Sequence, residues 1–254
     1  MSQAAFLVLV ALVGGIAITT LGPGGIFVTV LLHALGYPAA TVAGTASAAF
    51  IGTGLVGSAA YWRSGHLQEP GVSRDALALS AASVAGALAG TALNAFLDRQ
   101  TFGIALGLFV GGTALLLIAR QRGLLRSTEA VRAGSRRALA VMVGLGLAVG
   151  VPGALLGVGG PVLAVPLLVL AGIPMLTAVA MAQVQSVAIA AFATAGYAAR
   201  GSVDGELALL IGVPLVVGTV IGWRLAQRVQ AERLTVALSV VLLAVGVYLV
   251  ATSV

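Results

Sequence analysis

Long apolar runs separated by short polar interruptions fill the chain. Eight runs are near the roughly 20 residues a membrane-spanning helix needs: Ala4–Leu21, Ala39–Trp62, Ala76–Leu97, Thr101–Ala119, Ala138–Leu156, Met175–Ala199, Leu207–Ala226 and Leu234–Ala251. Two shorter pieces, Ile26–Leu35 and Val162–Ala171, each follow a glycine-proline break. The first break is Leu21-Gly-Pro-Gly-Gly25 and the second is Leu156-Gly-Val-Gly-Gly-Pro161. Each short piece ends in a turn, Gly36-Tyr-Pro38 or Gly172-Ile-Pro174. The polar segments are Arg63–Asp75, Asp98-Arg99-Gln100, Arg120–Arg137 and Arg200–Glu206.

The order of elements occurs twice. Superposing the two Gly-x-Pro turns gives an offset of 136 residues, which also pairs Thr41 with Thr177, Tyr61 with Tyr197 and Gly65 with Gly201. Further on, Gly86-xxx-Gly90 matches Gly218-xxx-Gly222 at an offset of 132. Turns, breaks and spacings agree together, which is the mark of an internal duplication. The chain therefore divides into an N-terminal transmembrane repeat over 1–119, a basic linker over 120–137 and a C-terminal transmembrane repeat over 138–254. Opened backbone at membrane depth is tolerated only where protein buries it or a cavity needs it. Paired broken segments in two halves are a pointer to a transporter's binding site.

Composition narrows the class. The chain is 60% hydrophobic and 8% charged, against about 25% charged in a soluble domain, and its mean hydropathy is +1.13. It reads as an all-α integral membrane protein. No cysteine is present, so disulfide, thiol and cysteine-metal chemistry are excluded. The N-terminus has no basic n-region, so Met1–Thr20 reads as a first helix and not as a cleaved signal. The formal charge of +6 comes from arginine alone, and it falls in loops. That makes it an orientation signal and not a nucleic-acid surface.

The arginines and the repeat together set a topology. Each half has three long helices plus a broken pair, and the pair, as two spans or as a re-entrant hairpin, returns the chain to its starting side. The halves are then inverted. With Arg120–Arg137 in the cytoplasm, 11 arginines fall inside and only Arg99 and Arg200 outside. Treating each pair as one crossing makes the repeats parallel and worsens the split to 9 against 4. The positive-inside rule favours inverted repeats, a multi-pass protein of the cell membrane with both termini outside.

Three features resemble the TauE/SafE family of membrane transporters: the duplicated glycine-rich break with Gly157-Val-Gly-Gly-Pro161, the run Val165-Pro-Leu-Leu168, and Ala43-Gly-Thr-Ala-Ser47. The resemblance covers nearly the whole chain. It implies export of sulfite or organosulfonates of the taurine or sulfoacetate type. The chain departs from the pattern twice. The first break has no Pro-Leu-Leu after it, and Ala180-Met-Ala-Gln-Val-Gln185 stands where the first half has Gly44-Thr-Ala-Ser-Ala-Ala49. A site between the halves would be asymmetric.

The candidate chemistry is short on charge. All seven acids (Glu69, Asp75, Asp98, Glu129, Asp204, Glu206, Glu232) lie in loops or at helix ends. An intramembrane carboxylate relay of the kind pumps use is therefore not expected, and neither is an enzyme, a bound metal or a cofactor. Two devices remain. The short helices restart at the breaks with unpaired N–H groups and positive dipole ends. There Gly22, Gly24, Gly25, Gly157, Gly159 and Gly160 let an oxyanion approach the backbone. The plainer reading is a tight helix crossing. The second device is the polar set Thr45, Ser47, Gln183 and Gln185. Gln183 and Gln185 point about 200° apart on a regular helix, so only one can face a given cavity. The competing reading is hydrogen bonding between helices, or to the helix's own carbonyls for Ser and Thr.

His33 is the lone histidine in an apolar piece and is either a proton shuttle or interfacial. Asn94 reads as a helix-end polar group. Tyr61, Trp62 and Tyr197 read as interfacial aromatics. The glycine rows at 86/90, 103/107/111 and 218/222 read as packing faces, and Arg120–Arg137 as a linker drawn to anionic lipid. The expected partners are a small anion and the bilayer, with self-association left open. Alternatives are a carrier of another small anion or metabolite and a membrane scaffold without transport.

Overall fold

The computed structural model describes residues 3–124, 133–228 and 231–253, with side chains described except over 231–237. Arg126, Glu129 and Arg132 of the linker, the side chains of Glu232 and Arg233, and Val254 lie outside the described residues. The described chain is built from helices: α1 (Gln3–Thr20), a 3-10 turn (Pro23–Gly25), α2 (Ile26–Ala34), α3 (Ala39–Arg63), α4 (Val72–Asn94), α5 (Arg99–Gln121), α6 (Arg136–Leu155), α7 (Pro161–Leu170), α8 (Met175–Ala198), α9 (Gly205–Ala226) and α10 (Ala231–Ser253). Among the described residues seven helices are long and apolar enough to cross a membrane. The chain is an all-α, multi-pass membrane protein.

One boundary moves. The loop expected over Arg63–Asp75 ends early, because α4 begins at Val72 after Gly71 with φ 87°. Its first turn is polar and extends beyond the apolar run. Asp75 is nevertheless buried, with Oδ2 accepting the Gly134 N–H at 2.9 Å.

Glycine rows set the helix pairs, because only glycine allows the approach. A methyl at Gly90 would sit 2.2 Å from the Val151 carbonyl, and one at Gly218 2.2 Å from that of Leu12. α4 thus lies on α6, with Leu79 at Gly146 and Gly90 at Leu155, so the two run parallel. α1 lies parallel on α9, where Gly218 meets Leu12 and Gly222 meets Ile16 and Thr19. α1 thus packs on a helix far along the chain, and α6 on one that precedes it.

α4 also packs on α8 and α3 on α9, and two further pairs, α3 with α8 and α5 with α10, run in opposite directions. Along α3 and α8, Gly44 meets Tyr197, Gly54 meets Val187 and Gly57 meets Gln183. Along α5 and α10, Gly103 meets Ser253 and Gly107 meets Gly246 and Val250. α3 and α8 are the most buried spans and form the centre. Outward faces present Leu77, Leu108, Leu209 and Phe96, with Phe96 85% exposed, as a lipid-facing surface requires.

The helix directions define two rims. One carries the Gly36–Pro38 turn, the starts of α5 and α9, and the end of α10. There Arg99 donates to the His33 carbonyl at 3.2 Å and Arg200 to that of Thr91 at 2.6 Å. The other carries the segment after α3, the end of α5 and the Gly172–Pro174 turn. There Arg74 donates to the Gly134 carbonyl at 3.3 Å. At nine and ten residues, α2 and α7 are only about 14–15 Å long, half the bilayer's apolar thickness. Each starts deep, at its break, and returns to the rim from which its preceding helix set out.

Candidate functional site

The two breaks meet at the centre of the molecule. A methyl at Gly22 would collide with the Pro161 carbonyl and Val165, and one at Gly25 would sit 2.7 Å from the Val158 carbonyl. Both breaks contact the ring of Phe50, midway along α3, and Gly159 also faces Ser186, midway along α8. Three break glycines have positive φ: Gly22 (104°), Gly157 (62°) and Gly159 (78°), a backbone that L side chains avoid. All six candidate glycines are buried.

Every break exposes two kinds of helix end, and the protein treats them differently. The carbonyl ends of α1 and α6 carry partial negative charge and receive side-chain donors. Tyr61 Oη donates to Thr19 O at 2.7 Å and Gln183 Nε2 to Ile18 O at 3.4 Å. Tyr197 Oη donates to Ala154 O at 2.9 Å and Asn94 Nδ2 to Leu155 O at 2.8 Å. Thr29 Oγ1 donates to Gly157 O at 2.6 Å. The N–H ends of α2 and α7 begin on Gly25 and Gly160 with no side-chain cap. Such caps stand at the starts of α5, α6 and α9, from Asp98 to Thr101 N at 2.7 Å, from Ser135 to Ala138 N at 3.0 Å and from Asp204 to Leu207 N at 3.0 Å, while α3, α4 and α8 also begin without one. At the centre the negative ends are therefore covered, while the two positive ends carry no side-chain cap.

The polar candidates separate. Gln183 and Gln185 are fully buried and face different ways. Gln183 reaches α1 at Ile18 and lies against Gly57. Gln185 donates from Nε2 to Ser83 Oγ at 2.8 Å and lies with its Oε1 beside Gly160. Both amide nitrogens are engaged between helices, and both Oε1 atoms are buried without a partner. Gln185 therefore joins the breaks, whereas Gln183 joins the carbonyl end of α1. Thr45 stands apart, since its Oγ1 accepts the Asp204 N–H at 3.1 Å at the start of α9. Ser47 is buried on α3.

Tyr61 and Tyr197 correct the interfacial expectation. Both are fully buried, because their hydroxyls reach inward to the open helix ends, and only Trp62 is exposed. The 136-residue spacing that pairs these tyrosines was the available signal, and it marked a duplicated cap. Thr29, Ser83 and Ser186 were not singled out in the sequence, since a lone hydroxyl in an apolar run carries no distinguishing pattern. No cluster of metal-ligating side chains occurs among the described residues. The described acids stay at helix ends or in loops.

A family model described as "Sulfite exporter TauE/SafE" matches residues 7–249. Neither a curated protein nor a solved structure matches the chain.

Proposed function

Because the chain belongs to the TauE/SafE family, membrane transporters of the sulfite-exporter type, we propose that it carries small sulfur oxyanions or organosulfonates outward by alternating access. The observation behind this reading is the unequal treatment of helix ends. Tyr61, Gln183, Tyr197, Asn94 and Thr29 cover the carbonyl ends. A cation would lose those carbonyls as ligands. The uncapped starts of α2 and α7 offer what an oxyanion needs, N–H donors without a side-chain partner and positive dipole ends, with no full charge to trap the anion after release.

The substrate site in this reading comprises Gly22, Gly24, Gly25, Gly157, Gly159, Gly160 and Gln185, with Gln183, Ser47 and Thr45 on the flanking helices. The free Oε1 of Gln185 suits an ammonium group, so a taurine-type zwitterion would use both ends of the site and sulfite only one. The opposite courses of α3 and α8, and of α5 and α10, support inverted repeats. The gathering of Arg63, Arg74, Arg120, Arg136, Arg137, Arg224 and Arg228 at one rim supports a cytoplasmic assignment for that rim, which leaves both termini outside. The exchange of α1 and α6 between halves supports moving bodies that each mix the two repeats: α1 and α3 with α9, against α6 and α8 with α4.

The test is flux through liposomes containing the purified chain alone, with sulfite, taurine, sulfoacetate and a sulfur-free carboxylate compared side by side. Sulfur-anion flux that Gln185→Ala or Gly159→Leu removes, with the protein still folded in detergent, is the expected result. Equal flux of the carboxylate points to a general anion carrier. No flux of any of the four overturns the transport reading and leaves a scaffold.

A further inference from the structure

A polar cavity lies away from the breaks, at the rim that carries the end of α10. It has a volume of about 540 Å³ and is lined by His33, Arg99, Gln100, Tyr248, Thr252 and Ser253, with Ala34 and Leu249. Its chemistry is one-sided. Arginine, imidazole, amide and hydroxyl groups line it, and among the described residues no side-chain carboxylate does. The nearby Asp98 is turned away, because its carboxylate accepts the Thr101 N–H and caps α5. Arg99 spends one N–H on the His33 carbonyl at 3.2 Å, and no ion pair to it occurs among the described residues. A guanidinium has five N–H donors, so most remain for a ligand.

His33 is the second, independent observation. It is only 6% exposed, its ring lies 5.5 Å from that of Phe102, and its Nδ1 is buried without a partner. A methyl at Gly103 would sit 2.3 Å from Ser253 Oγ and 2.7 Å from His33 Nε2. Glycine there leaves the imidazole and the hydroxyl side by side at the cavity wall. Burying a polar group without a partner is costly, and a turn of the ring that brings Nδ1 to the cavity would let a ligand there supply one.

We propose that this cavity is an anion-binding vestibule, in which Arg99, His33 and Ser253 hold a small oxyanion before it enters, or after it leaves, the central site. Its position carries the idea. α2 begins at the first break and ends, half a bilayer away, at His33, so one short helix joins the central site to the vestibule. At the opposite rim, a cavity of about 360 Å³ lies where α7 ends, bounded by Arg120 and the Gly172–Pro174 turn. None of the described residues lining that cavity has a buried unpartnered side chain, so it serves as the control. The proposal rests on the anion reading of the centre, but its test is independent of transport.

The chain has two histidines, His33 and His66, so their ring signals in a nitrogen-labelled protein are assigned with one variant, His66→Gln. Sulfite and sulfate are titrated at constant pH and ionic strength into the full chain in detergent. The His33 signal should shift saturably and that of His66 should not. Losing a charge-assisted contact in Arg99→Gln should weaken the apparent affinity about tenfold or more, Arg99→Lys should restore part of it, and Arg120→Gln should leave it unchanged. No saturable shift at His33, or equal affinity in Arg99→Gln, overturns the vestibule. Binding without liposome flux would retain the vestibule and remove the transport reading, and flux without the shift would do the reverse.

Discussion

The two breaks are equivalent by sequence and unequal in space. The first is closed. Its residues form a 3-10 turn, and a methyl on Gly24 would lie 2.2 Å from the Gly14 carbonyl and 2.4 Å from the Ile18 nitrogen. The second is equally closed at Gly157, against Ala43, but more open at the two glycines that follow Val158. A methyl on Gly159 would meet nothing nearer than Phe50 at 3.5 Å, and one on Gly160 would find the Ser186 nitrogen at 3.3 Å and Gln185 Oε1 at 3.4 Å. A duplicated glycine run can thus serve two ends. In the first break the glycines let backbones touch. In the second, Gly159 and Gly160 keep space beside the uncapped start of α7. Gln185, whose Oε1 lies beside Gly160, has Ala49 as its counterpart at the 136-residue offset, so the polar lining of the two breaks also differs.

Steric substitution breaks the comparison most strongly. Gly24→Ala, and Gly157→Ala with its methyl 2.4 Å from Ala43 Cα at φ 62°, should each cost about 3 kcal/mol or more. Loss of monodisperse protein in size-exclusion chromatography is the readout. Normal yield of both would mean that the breaks are not closed against their neighbours. Gly159→Ala has room but keeps φ at 78°, and that strain costs about 1–2 kcal/mol. The protein should stay folded, with a lowered melting temperature and at least a tenfold loss of sulfite binding. A melting loss as large as that of Gly24→Ala would erase the distinction between the breaks.

Tyr61→Phe and Tyr197→Phe sharpen the comparison from the other side. Each removes one cap from a carbonyl end, and each should cost about 1–2 kcal/mol for the acceptor left buried. Similar melting shifts are expected, because this part of the duplication is symmetric. A silent variant in one half and a large loss in the other would show that the caps had diverged with the glycines.

The smallest effect lies outside the membrane. The Asp98 carboxyl is held below its ordinary value, first by the Thr101 backbone N–H and then by the Thr101 side chain. A depressed folded-state value means that the cap contributes above the unfolded value and is lost as pH falls through the folded one. Asp98→Ala should therefore lower the melting temperature slightly at neutral pH and flatten its dependence on acid. Parallel acid profiles of the two proteins would remove this role.

The helices, the breaks and the equivalence of Tyr61 with Tyr197 were legible in the sequence, because hydropathy, glycine-proline interruptions and a fixed offset are all one-dimensional signals. The uses of those residues were not. Nothing in the spacing of Tyr61 says whether its hydroxyl faces headgroups or a helix end 42 residues earlier. The opposite facing of Gln183 and Gln185 followed from helical geometry, but their partners, Ile18 and Ser83, depend on helices crossing between the halves. That exchange of α1 and α6 is invisible to a repeat offset, which aligns the halves without saying which packs on which. The vestibule escaped for the same reason, since His33, Arg99 and Ser253 come from three distant segments.

The central claim is that the uncapped starts of α2 and α7 receive an anion. Selenite, a heavier analogue of sulfite, locates that anion directly through its anomalous scattering in crystals soaked at increasing concentration. The account predicts a peak within hydrogen-bonding reach of the backbone N–H groups at Gly159, Gly160 and Val162, absent from crystals of Gly159→Leu. Selenite density confined to other parts of the molecule, from a protein that transports selenite in liposomes, would contradict it.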